Sequence, residues 1–66
     1  MERILKIDFI SGGEHRYSDR FIKNYDGLYN WLTNNSDIPF VVDKEEDGKV
    51  ILYKHSIKSV KVFRTV

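Results

Sequence analysis

An acidic stretch between residues 43 and 48 contains residue types that could bind calcium. Asp43, Glu45, Asp47 and Gly48 follow the spacing of a calcium-loop opening, although a glutamate replaces the shorter side chain at the second ligand position. Such a loop closes with a bidentate glutamate at its twelfth position, which is Lys54 in this chain. Because a cation repels the metal there, we predict a solvated hairpin loop rather than a metal site.

The remaining candidates for chemistry are two histidines and several serines. His15 and His55 lie in predicted strands without a second ligand at metal-site spacing, and the chain has no cysteine. Ser56 follows His55 directly, but adjacency in sequence does not bring two side chains into hydrogen-bond contact. We therefore predict no catalytic residue, no metal ligand and no cofactor, and we expect that the protein is not an enzyme.

The last third of the chain is basic. Residues 1–48 contain six Lys/Arg and ten Asp/Glu, whereas residues 49–66 contain five Lys/Arg and no acid. This asymmetry is compatible with nucleic-acid binding, and equally with a fold in which the two oppositely charged parts attract each other. A few lysines support only weak, non-specific phosphate contacts. Lysines on edge strands also prevent aggregation between sheets. The residues that we assign to a candidate interface or basic patch are Lys54, Lys58, Lys61, Arg64, Phe63 and Tyr29.

Two strands and a helix are predicted in the first half of the chain. Alternation over residues 3–11 predicts a strand, and Gly12-Gly13 form the turn to a return strand at residues 14–18. Leu28, Trp31 and Leu32 have helical spacing, so we predict a short helix that begins near Asp26 as N-cap. Trp31 then faces the core, and Tyr29 lies nearer the flank as an exposed contact.

Three more strands are predicted after the helix, at residues 38–43, 49–55 and 59–66. Asp47-Gly48 provides the turn between the first two of them. We expect the last two to pair as a hairpin centred on Ser56-Ile57. That register makes Ile51, Tyr53, Val60 and Val62 the core face. The opposite face is then basic near the turn and apolar further along, with Val50, Leu52, Lys54, Ser59, Lys61 and Phe63.

These elements predict a single small α+β domain over residues 1–66, in the order ββ-α-βββ. An antiparallel sheet, either open or strongly curled and barrel-like, packs on one short helix. The absence of cysteine favours a reducing cytoplasm, and no apolar run is long enough to span a membrane. We expect a non-enzymatic binding or regulatory module that acts through protein–protein contacts and self-associates. The alternative is a small nucleic-acid-binding domain that uses the basic ending.

Overall fold

The protein is described by a computed structural model that covers residues 1–65. Five strands and one helix occur in the predicted order ββ-α-βββ. Two short 3-10 turns precede the fourth and fifth strands. The elements are β1 (Glu2–Phe9), β2 (Glu14–Ser18), α1 (Tyr25–Thr33), β3 (Phe40–Asp43), β4 (Lys49–Leu52) and β5 (Ile57–Thr65), with 3-10 turns at Glu45–Asp47 and Lys54–Ser56.

The strands form two antiparallel sheets. The larger sheet has the order β2-β1-β5, and β3 pairs with β4 in a separate ribbon. A tight turn joins β1 to β2, and Gly12 adopts a positive φ of 106° there, which a residue with a side chain rarely accepts. The predicted α+β class with antiparallel sheets is confirmed, whereas the pairings do not show a barrel-like curl.

The central strand β1 supplies the middle of the core. Leu5 and Ile7 share one face of the strand and are fully buried. Tyr17 of β2 lies opposite Leu5 and is also buried. Burial of an aliphatic side chain of this size stabilises the fold by about 1.5–3 kcal/mol. The remaining buried side chains are Ile22, Tyr25, Leu28, Trp31, Val42 and Leu52.

Helix α1 buries the predicted stripe, but its start differs from the prediction. Leu28 and Trp31 are buried, and the Trp31 indole donates a hydrogen bond to the carbonyl of Ile38 at 2.6 Å. The capping residue is Asn24 rather than Asp26, and its side chain makes no cap hydrogen bond. The side-chain amide of Asn24 is instead hydrogen-bonded to the backbone of β3, so the position of Asn24 is set by packing between elements.

The predicted hairpin between the last two strands is wrong. β4 pairs with β3, placing Ile51 opposite Val41, and Ile51 is 54% exposed while Leu52 is buried. The core face of β4 is therefore the opposite of the predicted one. The prediction assigned this face from a hairpin with the last strand, and β4 pairs with β3 instead. The 3-10 turn at Lys54–Ser56 takes the chain from the ribbon to the larger sheet, and Tyr53 just before it is exposed.

Strand β5 pairs with β1 instead. Val60 lies opposite Ile7 and Val62 lies opposite Leu5, so both valines are on the core side of the sheet as predicted. Regular pairing runs from Glu2 with Thr65 to Asp8 with Ser59, and a bulge at residue 58 interrupts it. This pairing gives β1 hydrogen-bonded neighbours on both edges and makes β5 one of the two edge strands of the sheet.

Candidate interaction surface

The free edge of β5 is the most exposed apolar part of the larger sheet. Within residues 1–65, no strand pairs with the side of β5 that faces away from β1. Val60 and Val62 are 37% and 48% exposed, although they share a face with the fully buried Ile7 and Leu5. The apolar layer therefore reaches the solvent at β5, where backbone N–H and C=O groups are open to another strand. We call this unpaired edge, with Val60 and Val62, the β5 edge.

Lys54 is a structural residue at the end of helix α1. Its ammonium donates hydrogen bonds to the carbonyl of Trp31 and, at 2.8 Å, to the carbonyl of Asn34. The same nitrogen lies 4.6 Å from the centre of the Trp31 ring. Carbonyl groups at the last turn of a helix lack intrahelical partners and carry partial negative charge. The Trp31 carbonyl also accepts a long bond of 3.4 Å from the Asn34 N–H, so Lys54 strengthens the helix end and links it to the 3-10 turn that precedes β5.

The other three basic candidates lie along β5 but do not share one face. Lys61 is opposite Lys6 on the outer face, whereas Arg64 is opposite Arg3 on the side of the core. Lys58 occupies the bulge. All three are exposed, so each can meet a partner, but together they do not form a single basic surface on one side of the sheet.

Phe63 lies on the outer face of β5, opposite Ile4. It is 36% exposed, and the guanidinium of Arg16 lies over its ring at 5.9 Å from the centroid. The surrounding face is held by polar contacts, in which the Lys6 ammonium lies 3.8 Å from Asp8. Ser59 donates a hydrogen bond to the same carboxylate at 3.0 Å. The outer face is thus a mixed surface in which Phe63 is partly covered.

Tyr29 is exposed on helix α1, away from the buried side of the helix. Its 44% exposure agrees with the expected position on the flank, and its role as a contact stays a prediction. The sequence reasoning assigned Val60 and Val62 to the covered core, and therefore missed them as part of an accessible surface. The missing signal was the pairing of β5 with β1, a contact between the two ends of the sequence that local alternation does not report.

A groove of about 490 Å³ runs beside β2, on the other edge of the larger sheet. Its apolar lining includes Tyr17, Phe21 and Val50, and charged side chains of both signs surround them. The Tyr17 hydroxyl lies 2.7 Å from Nδ1 of His15, so these two polar groups satisfy each other. The mixture of charges does not indicate one class of ligand.

The clearest electrostatic contact joins β1 to the segment after β2. Arg3 Nε lies 3.1 Å from a carboxylate oxygen of Asp19, and a second nitrogen of Arg3 lies 3.3 Å from Asp26. The hydrogen bond from the Arg3 side chain lowers the pKa of Asp19. Burial raises the pKa values of Tyr17 and Tyr25. These pKa shifts belong to groups that stabilise the fold. Asp19 is bound to Arg3 of β1, and the rings of Tyr17 and Tyr25 are part of the core.

Within residues 1–65, no cluster of His, Asp or Glu has the arrangement of a metal site. No helix in the same range is long and apolar enough to cross a membrane. Comparison with models of protein families, with curated proteins and with solved structures found no match.

Proposed function

We propose that the chain is a non-enzymatic protein-binding module that accepts a strand from a partner at the β5 edge. In this mode of binding, backbone hydrogen bonds extend the sheet while alternate side chains provide specificity. The observation that carries the proposal is the exposure of Val60 and Val62 on an edge strand, at 37% and 48%. A strand added beside β5 would cover both side chains and pair the open backbone groups. A small accessory protein of the reducing cytoplasm fits the absence of cysteine.

The placement of the basic side chains supports a protein partner over nucleic acid. Lys54 is engaged at the end of α1, and Lys61 and Arg64 lie on opposite faces of β5. Nucleic-acid binding through phosphate contacts uses several cations on one surface, interleaved with exposed aromatic rings. The proposal therefore rests on the apolar edge formed by Val60 and Val62.

Photo-crosslinking in the cells that produce the protein tests this proposal. A photoreactive residue replaces Val62 at the β5 edge, and Ile51, which is exposed to a similar degree on the separate ribbon, serves as the matched control position. We expect discrete crosslinked protein products from position 62 and none of the same products from position 51. Identical patterns at the two positions, or no product from position 62, would contradict the proposal.

A binding assay at low salt distinguishes the proposed function from the alternative, nucleic-acid binding. Single- and double-stranded DNA and RNA are titrated into the protein and into a Lys58→Glu, Lys61→Glu double variant. Binding through these lysines weakens steeply with salt, because counterions are released from the phosphates. We expect no difference between the two proteins at low salt, and a strong loss in the double variant would favour the alternative.

A further inference from the structure

We propose that the strand that pairs with the β5 edge is β5 of a second copy, in an antiparallel arrangement with a two-fold axis at Val62. The inference rests on the proposed function, because it names the partner of the same edge. It joins the two larger sheets into one of six strands, in the order β2-β1-β5-β5-β1-β2. A two-fold axis makes such an interface self-complementary. If residue i of one copy faces residue j of the other, then residue j of the first copy faces residue i of the second.

Symmetry limits the possible registers to those in which one residue faces itself. An axis at Lys61 places two ammonium groups opposite each other and also brings Lys58 opposite Arg64. Like charges that are directly opposite destabilise a pair of strands. In the β1-β5 pair, carboxylates compensate for such pairs, since Asp8 lies beside Lys6 and Asp19 beside Arg3, whereas β5 of a second copy has no acidic residue. The sequence of β5 therefore disfavours the register centred on the middle of the strand.

The register centred on Val62 places an uncharged residue opposite each charged one within Ser59–Thr65. Lys61 faces Phe63 of the second copy, where an ammonium can lie over an aromatic ring. Arg64 faces Val60, whose side chain can pack against the aliphatic part of the arginine. Val62 faces itself, and Ser59 faces Thr65. The two half-exposed valines thus lie at the centre of the interface.

The bulge distinguishes this register from its neighbours. Residues 59–65 are the regularly paired part of β5, and the bulge at Lys58 lies outside them. An axis at Val60 includes the bulge in the new pairing and places Ile57, which packs against the core, at the interface. An axis at Phe63 leaves Val60 unpaired within the described residues. The Val62 axis alone uses the whole regular segment and covers both valines.

The absence of cysteine makes the register directly measurable. Directly opposite residues in an antiparallel pair have Cα atoms about 4.5–5.5 Å apart, which is within the range of about 4.4–6.8 Å that a disulfide requires. In the proposed register Val62→Cys therefore forms an intermolecular disulfide under mild oxidation. The two copies of position 60 lie four residues apart along the strands, about 14 Å, so Val60→Cys does not. The reverse preference, or equal crosslinking of both variants, would overturn the assignment.

Sedimentation of the wild-type chain gives an independent measurement. The dimer is expected to become tighter as salt rises, because Lys58, Lys61 and Arg64 of the two copies repel each other and salt screens that repulsion. Val62→Lys is expected to weaken the dimer at least about tenfold, which corresponds to about 1.4 kcal/mol. Ile51→Lys, on the ribbon, is expected to leave it unchanged. Circular dichroism of both variants confirms that the fold is retained.

The outcomes separate this inference from the proposed function. A wild-type chain that stays monomeric to millimolar concentration, while position 62 still crosslinks to a different protein, overturns the second copy as partner and leaves the β5 edge as the binding surface. A monomer with no crosslinked product overturns both. A dimer that Ile51→Lys disrupts and Val62→Lys does not would place the interface on the ribbon.

Discussion

The contact of Lys54 with the end of helix α1 predicts a large loss of stability from a single substitution. Lys54→Met keeps the aliphatic stem but removes the hydrogen bonds to the carbonyls of Trp31 and Asn34. It also removes the ammonium from the face of the Trp31 ring, 4.6 Å from its centre. A hydrogen bond from a charged group contributes about 1.5–3 kcal/mol, and a cation at a helix end about 0.3–1 kcal/mol. Since the site is only partly buried, we expect a loss of about 2 kcal/mol.

Urea unfolding at fixed protein concentration measures this loss, with circular dichroism as the signal because the substitution changes the surroundings of the tryptophan. A chain of this size has a total stability on the order of 3–10 kcal/mol, so the midpoint shift is easily resolved. In thermal unfolding the same change lowers Tm by about 8–16 °C. Lys58→Met is the matched control, because Lys58 is an exposed lysine in the bulge of β5. We expect less than about 0.5 kcal/mol from it.

Equal stabilities of the Lys54→Met and Lys58→Met proteins would refute the structural role of Lys54. Its ammonium would then be solvated, and Lys54 would return to the set of cations available to a partner. A large loss has the opposite consequence for binding experiments. Weakened nucleic-acid or protein binding in a Lys54 variant would then have to be corrected for the unfolded fraction before it is assigned to a lost contact.

Four further substitutions follow from single features of the structure. The hydroxyl of Tyr25 is buried without a hydrogen-bond partner in residues 1–65, so Tyr25→Phe is expected to leave stability unchanged or raise it by about 1 kcal/mol. Tyr17→Phe loses a hydrogen bond to a histidine and is expected to cost about 1 kcal/mol, and urea unfolding compares the two variants. Because its pKa is lowered in the folded state, Asp19 contributes stability that is present above its unfolded pKa, about 3.9, and is lost as pH falls through the folded value. Asp19→Asn is therefore expected to flatten the stability profile below about pH 4, whereas an unchanged profile would contradict the contact with the guanidinium. Gly48→Ala is expected to cost about 1–3 kcal/mol in thermal unfolding, because the φ of 91° and ψ of −159° at Gly48 lie in a backbone region that is open essentially to glycine alone. Nothing lies within 4 Å of an added Cβ, so the cost is backbone strain and not a steric clash. No loss in that variant would show that the turn relaxes.

The sequence predicted the elements well because their signals are local. Alternation in β1, the stripe of Leu28 and Trp31 in α1, and the Asp47-Gly48 turn each depend on neighbours within a few positions. The start of α1 was misplaced because the decisive partner of Asn24 is the backbone of β3, which lies far along the chain.

The candidate surface was less predictable because it depends on which strands meet. The expected hairpin placed Ile51 opposite Val62, and a different pairing separated them into two sheets. The prediction that Val62 lies on the core side was nevertheless correct, because it faces the fully buried Leu5 in β1. Its exposure was not predictable, because the edge position of β5 is a property of the completed sheet. The same applies to Lys54, whose acceptors lie 20 and 23 residues earlier.

The pairing of β1 with β5 also bears on the order in which the chain folds. The hairpins β1-β2 and β3-β4 need only short loops, whereas β1 and β5 bring residues 2–9 against residues 57–65. Closing so long a loop costs entropy before the contact is made, and topologies with such contacts fold more slowly. We expect β5 to dock last. Until it does, one edge of β1 is open beside Leu5 and Ile7, and this early species is the form of the protein most exposed to aggregation. Substitutions in β5 should accordingly accelerate unfolding more than they slow folding.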